Sequence, residues 1–397
     1  MKSARASICA VLVLGLAVLS APTPATAKSF TVKPGESIQA AVDGASPGDT
    51  IKVLPGDYTE ATAGPAAVRI TKPLKLLAKS KLPNVKVRLL WNQDPAQMHG
   101  ILVEPANEGD PDISGPLTII QGFTVEGFPN MGIWLRHVNK FKIQGNESID
   151  NLENGIFPTL SANGLVKKNV AYGSQDSALW VEGSENVRVL NNELSKSPTG
   201  LEITVSKEIF VQKNNIHDNT IGVGLYHPAT AGLPEAEWPT GDFGPWHIID
   251  NHVHHNNTPN TAAAGSETSQ LPYGGGILLL GVQNVDAQKN LIERNDFFGV
   301  ALVDYCLVVV GTEFDCSAKP PPAGFPTAPD SDKLIKNNLV DNHAYPPAGP
   351  YQSLAADILI LAGGSNNCAT KNTIDNASSL APPLTMTIPD APIPACP

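Results

Sequence analysis

The sequence predicts an all-β chain wound as a single-stranded right-handed parallel β-helix, and three observations carry that prediction. First, short apolar runs restart 22 or 23 residues apart, at Gly132-Ile133-Trp134-Leu135, Gly155-Ile156-Phe157-Pro158, Ala178-Leu179-Trp180-Val181, Gly200-Leu201-Glu202-Ile203 and Gly222-Val223-Gly224-Leu225. Second, an asparagine keeps the same step at Asn146, Asn169, Asn192 and Asn215. Third, each unit holds alternating β-branched runs between Gly, Asn, Asp and Ser turns, and the leucine-rich-repeat consensus is absent. Each unit is then one coil stacked roughly 4.8 Å from the next, with Ile, Leu and Val inward and the asparagines forming an amide ladder.

Composition agrees. Gly (34) and Pro (35) are abundant and aromatics make up 6%, which suits a turn-rich solenoid better than a helical bundle. Because a solenoid grows by adding coils, one domain is expected despite the length. Residues 1–27 read as a secretory leader: Lys2 and Arg5 precede the apolar run Ile8 to Leu19, and Ala25-Thr26-Ala27 forms a small-residue cleavage site. An exported, periplasmic or extracellular monomer is expected, with no membrane span. Losing the leader removes two cations and no acid, moving the formal charge from −11 to −13. That charge disfavours nucleic acid and anionic lipid as partners.

Four cysteines follow the leader, and four allow three pairings. Cys306 with Cys316 and Cys368 with Cys396 is the expected set, since each closes a local loop and the second staples the tail. No CxxC spacing supports a metal thiolate site.

The N-terminal cap occupies 28–60. Ile38, Ala41, Val42 and Ala45 fall at helical spacing behind Ser37, a suitable N-cap, and an amphipathic helix here covers the open end of the solenoid. The stretch Glu36 to Tyr58, with Pro47-Gly48-Asp49 and Pro55-Gly56-Asp57, resembles the start of the pectin-lyase-like right-handed β-helix superfamily. That group includes pectate lyases, alginate lyases, mannuronan C5-epimerases and NosD-type periplasmic proteins. The resemblance implies the fold and, in sugar-acting members, a groove along the strand stack; it does not choose an activity.

Coils are expected over 61–381, interrupted by insertions at 228–245, 258–275 and 306–331, and the proline-rich tail 382–397 is read as an extended wrap. Trp238, Phe243 and Trp246 belong to the first insertion on this reading. The two insertions after Gly222 should fold over one flank of the solenoid.

Strand alternation puts Trp134, Phe157, Trp180 and Glu202 in one outward column and Arg136, Glu182 and Tyr226 in the next. Stacked aromatics can hold sugar rings and the flanking polar groups can bind hydroxyls or carboxylates, giving Trp134, Phe157, Trp180, Glu182 and Glu202 as candidate polysaccharide-binding residues. The bland alternative is that this strip packs beneath the insertions. A uronate lyase or C5-epimerase needs a base, a proton donor and a carboxylate neutraliser, for which Tyr226, His227 and Arg136 are the candidates; Glu182 with Glu202 is a pair able to accept calcium. The Asp-Pro-His-Asp of alginate epimerases is missing, as is the Asp cluster of calcium pectate lyases. His252 and His254 alternate onto one strand face and are the weak candidates for a metal. Against them, Ile216-His217-Asp218-Asn219, Val253-His254-His255-Asn256 and Ile292-Glu293-Arg294-Asn295 align as one polar surface turn. The contrasting functional classes are a non-catalytic surface or periplasmic scaffold and a NosD-like metal-related protein.

Overall fold

The computed structural model describes residues 26–79, 85–312, 314–348, 352–361, 364–375, 385–388 and 394–396. The leader, up to residue 25, lies outside them. Ser37 caps a helix over Ile38–Gly44, its side chain accepting from the Ala40 N–H, and Ile38 and Val42 are buried against the first coils. A second device there carries no sequence signature: buried Glu60 accepts from Ser37 Oγ (2.6 Å) and from the Ile38 N–H (2.7 Å), placing a carboxylate on the helix N-terminus.

Among the described residues the strands form three all-parallel sheets of 12, 11 and 11 strands. Sheet I begins with Ser29–Val32, sheet II with Gly56–Tyr58 and sheet III with Ala66–Ile70. One coil visits each in turn: Ile133–Arg136 in sheet III, Asn139–Gln144 in sheet I, Glu147–Ile149 in sheet II, then Asn154–Thr159 back in sheet III. The register keeps like on like. Ile133, Ile156, Leu179, Leu201, Val223, Ile277, Val300 and Ile358 stack in one inward column. The glycines that open these runs are required by close approach, since a Cβ on Gly132 would lie 2.6 Å from the carbonyl oxygen of Gly155 in the next coil.

Buried polar columns run along the turns. The Asn146 N–H and Nδ2 both donate to Asn169 Oδ1 (3.0 and 3.1 Å), and Asn169 repeats this on Asn192, which repeats it on Asn214. The column continues through Asn251 and Asn290 to Asn337 and Asn372. The expected fourth rung, Asn215, is displaced by one residue. The coil between Ser177 and Thr199 is one residue short, so Asn215 pairs with Glu193 instead and its side chain meets His254. A second column links Asn219, Asn256, Asn295 and Asn342, and among the described residues it closes on Asp357. A third joins Ser161, Ser184 and Ser206.

Two other expectations change. Trp246 lies inside the solenoid, not in an insertion, because alternation in the strand Gly244–Ile249 turns Trp246 and Ile248 inward. The tail contributes a strand, Thr385–Ile388, pairing with Ala356–Leu361 in sheet III, because the sheet edge left by the last coil offers free ladder groups. Both expected disulfides, Cys306–Cys316 and Cys368–Cys396, are formed.

Asp332 donates its N–H to Asn367 Oδ1 and accepts the Val285 N–H at Oδ1, while its buried Oδ2 has no partner among the described residues. Burial pushes its pKa well above the ordinary value of 3.8. A raised folded pKa means that this group's contribution is whole below the unfolded value and is lost as pH rises toward the folded one. Asp332→Asn should therefore stabilise the protein by about 1–3 kcal/mol near neutral pH, with the gain vanishing in acid. Urea denaturation at both pH values checks this; an equal gain at both would contradict it.

Candidate functional site

Sheets I and III differ on their outer faces. In sheet I the outward residues of strands such as Ala162–Lys167 are partly or fully exposed, whereas in sheet III the strands Asn154–Thr159, Ser177–Glu182, Thr199–Thr204 and Ile221–Tyr226 are buried at every position. The same holds for Gly275–Leu280, Phe298–Val303 and Ala356–Leu361. Insertions cover this face. Gly232 donates its N–H to Glu182 Oε1 (2.6 Å), Glu237 pairs with Arg136 (3.0 Å), and Thr268 Oγ1 donates to Asp176 Oδ1 (2.8 Å).

Beneath the cover lies a pocket of about 1080 Å³, counting its open mouth. Asp176, Trp180, Glu202 and Tyr226 form its polar end. Leu278, Leu280, Val303, Leu359 and Leu361 line the other end from three successive coils. Leu271 and Pro272 of one insertion, Tyr305, and Val309 and Phe314 of the disulfide-closed segment complete the walls. Ser177 Oγ donates to Glu202 Oε2 (2.5 Å), and Tyr226 Oη lies 3.1 Å from Thr199 Oγ1. Gly224 makes room for this phenol, because a Cβ there would sit 2.2 Å from the Tyr226 ring.

The expected outward columns are in register: Trp134 pairs with Phe157, Trp180 with Glu202, and Thr159 with Glu182. Trp134 stacks on Phe157 and Phe157 on Trp180, with centroids 6.1 and 4.6 Å apart. The strip is not an open platform, however. Phe157 and Trp180 are only 4% and 8% exposed, so the aromatic column is largely a small satellite core under the first insertion, and Trp180 alone of the three aromatics reaches the pocket.

The proposed catalytic trio does not converge. Arg136 is held by Glu237 and lies four coils from Tyr226 along the column. His227 is fully buried and caps the short helix Pro228–Thr230 through Nδ1; its ring stacks on Tyr305, and burial lowers its pKa to about 4. It is a neutral structural group. Burial, with Glu202 nearby, raises the Tyr226 pKa well above 10, which keeps the phenol protonated and unsuited to act as a base at neutral pH.

Burial likewise raises Glu182 to about 8 and raises Asp176. Glu182 is engaged by the first insertion, its Oε1 accepting the Gly232 N–H. The histidines lie on sheet II. His252 Nε2 meets Glu293 (2.9 Å), while His254 is engaged by His255 (2.8 Å) and Asn215 (3.0 Å). Among the described residues no three His, Cys, Asp or Glu side chains are arranged to hold a metal ion.

Sequence reasoning missed Asp176 and the aliphatic end of the pocket. A signal for the latter was present: Ile277-Leu278-Leu279-Leu280, Val300-Ala301-Leu302-Val303 and Ile358-Leu359-Ile360-Leu361 are unbroken apolar runs, the mark of strands buried on both faces.

With this geometry in view, the chain is similar to several solved structures. The A-module of the Azotobacter vinelandii mannuronan C-5 epimerase AlgE4 aligns over 85% of this chain and 83% of its own, with 14% identity and a TM-score of 0.58. DFA-IIIase from Arthrobacter chlorophenolicus A6, in complex with GF2, aligns over 85% and 80%, with 16% identity and a TM-score of 0.52. The fold they share is the parallel β-helix. The Dettilon tailspike protein shares it, over 89% of this chain and 60% of its own, with 14% identity and a TM-score of 0.54. The family described as periplasmic copper-binding protein (NosD) matches residues 114–233 of this β-helix. No curated protein sequence matches it.

Glu182 gives a test of how the insertion is held. Because its folded pKa rises from 4.5 to about 8, the stability it contributes is complete below the lower value, is lost as pH climbs between the two, and is level above them. Thermal melts of wild type and Glu182→Gln should diverge across that window in favour of the variant. Parallel curves would show that the carboxyl is not buried under Gly232.

Proposed function

We propose that this chain is an exported carbohydrate-binding β-helix protein whose site is the acid-floored pocket, and that its ligand is a neutral saccharide. One observation carries the reading: Asp176 and Glu202 reach the same pocket beside the Trp180 indole, and no lysine or arginine is among the lining residues. Carboxyl groups accept paired hydrogen bonds from sugar hydroxyls, and an indole or phenol ring packs on the apolar face of a pyranose. A uronate would bring a carboxylate beside Asp176 and Glu202, with no lysine or arginine among the described lining residues to pair with it. The two disulfides fit an oxidising compartment.

This choice separates the chain from uronate lyase or epimerase chemistry, although a mannuronan epimerase is among the similar folds. Such chemistry needs a cation or an acid to neutralise the substrate carboxylate, and Arg136, the residue expected to do so, is paired with Glu237. Burial instead raises the Asp176 pKa above its ordinary value, the direction that a group donating to a glycosidic oxygen requires. The copper reading draws on the NosD match, but that match ends at residue 233, before His252, His254 and His255.

Calorimetry against neutral oligosaccharides and uronate polymers tests the proposal. Neutral saccharides should bind, Glu202→Gln should weaken them by roughly tenfold, as for loss of a charge-assisted hydrogen bond, and Arg136→Ala should leave affinity within about twofold. Preferential uronate binding that is lost in Arg136→Ala, or the ultraviolet absorbance of an unsaturated elimination product, would overturn it.

A further inference from the structure

The polar end accounts for only part of the pocket. Outward positions on a solenoid strand normally face water and are polar, as on sheet I. On sheet III the column that reads Trp180, Glu202 and Gly224 continues as Leu278, Ala301 and Leu359, and its neighbour passes from Tyr226 to Leu280, Val303 and Leu361. Tyr226 and the aliphatic members of these columns form a second hydrophobic cluster, separate from the solenoid core, which also includes Tyr305 and, from the disulfide-closed segment, Val309. That cluster does not close on itself. It leaves the aliphatic half of the pocket open beside the acids, and on the same wall segment Leu307 (47%) and Val310 (67%) are exposed.

A sugar alone would leave this half wet or empty, since aliphatic walls offer hydroxyls no partner. An apolar ligand without a polar head would bury Glu202 and Asp176 against hydrocarbon. A molecule that is polar at one end and apolar at the other satisfies both halves. We infer that the ligand is an amphiphilic glycoside, a neutral sugar joined to a hydrophobic aglycone, with the sugar at Asp176, Glu202 and Trp180 and the aglycone along Leu278, Leu280 and Leu361. This rests on the neutral-saccharide reading of the site and adds the chemical class of the group attached to the sugar. The disulfide between Cys306 and Cys316 braces the wall that the aglycone contacts.

The test is a chain-length series of methyl, hexyl and octyl β-glucosides, titrated into the full mature chain below their micellar concentrations, with n-octanol and octylammonium as headgroup controls. Affinity should rise roughly tenfold from hexyl to octyl, the gain for two buried methylenes. Glu202→Gln should weaken every glucoside by a similar factor while preserving the chain-length slope, and Leu280→Ala should flatten the slope while preserving the folded β-sheet spectrum. If methyl and octyl glucosides bind alike, the aglycone inference falls and the saccharide reading stands. If n-octanol or octylammonium binds as tightly as octyl glucoside and Glu202→Gln is indifferent, the saccharide reading falls and the inference with it. If none binds, both are overturned; the wild-type series needs no variant to fold.

Discussion

The structure depends on how the turns dispose of their backbone N–H groups. A buried turn leaves donors that water cannot reach, and each such donor left unmade costs about 1–3 kcal/mol. Here the next coil supplies the acceptor: the N–H of Asn169 meets Asn192 Oδ1 while Asn169 Nδ2 reaches back to the Ile143 carbonyl, so one side chain joins three coils. The residue before each rung adopts a left-handed backbone, as at Lys168 (φ 53°) and Asn191 (φ 54°). That conformation is unfavourable by roughly 1–2 kcal/mol for an L residue, and the buried amide contacts offset it.

Rigid turns let one face be elaborated without disturbing the others. Sheet I keeps its partly exposed outer residues while sheet III acquires insertions that bury its outer face, because an insertion leaves and re-enters the same column. Asn214 and Asn251 remain adjacent rungs although 37 residues separate them. The pocket is therefore built on a fixed floor with variable walls, and its chemistry comes from whichever outward residues the columns place beneath those walls.

Fold and site were unequally legible. The inward periodicity, the cap helix behind Ser37 and the disulfide pairs could be read because each follows from local spacing. The register also located Trp180, Glu202 and Tyr226 on one face, although whether that face was open depended on contacts across long separations, such as Gly232 with Glu182 and Glu237 with Arg136. His227 resembled a catalytic residue because a histidine after a tyrosine carries no mark of its burial. The slip from Asn215 to Asn214 shows how one residue lost from a coil escapes a count of asparagines while every side chain downstream still finds its column.

Among the described residues Asp357 is the last member of the second polar column. Each asparagine on that column accepts a hydrogen bond from the coil before it and donates one from its own amide to the coil after. Asp357, fully buried, receives the amide of Asn342 and has none to offer. A column of identical amides is an open-ended polymer with no preferred length, and an acceptor-only residue works in it as a chain terminator. Among the described residues the column thus ends on an acid while the solenoid itself runs on, since Thr385–Ile388 still pairs with the strand that carries Asp357.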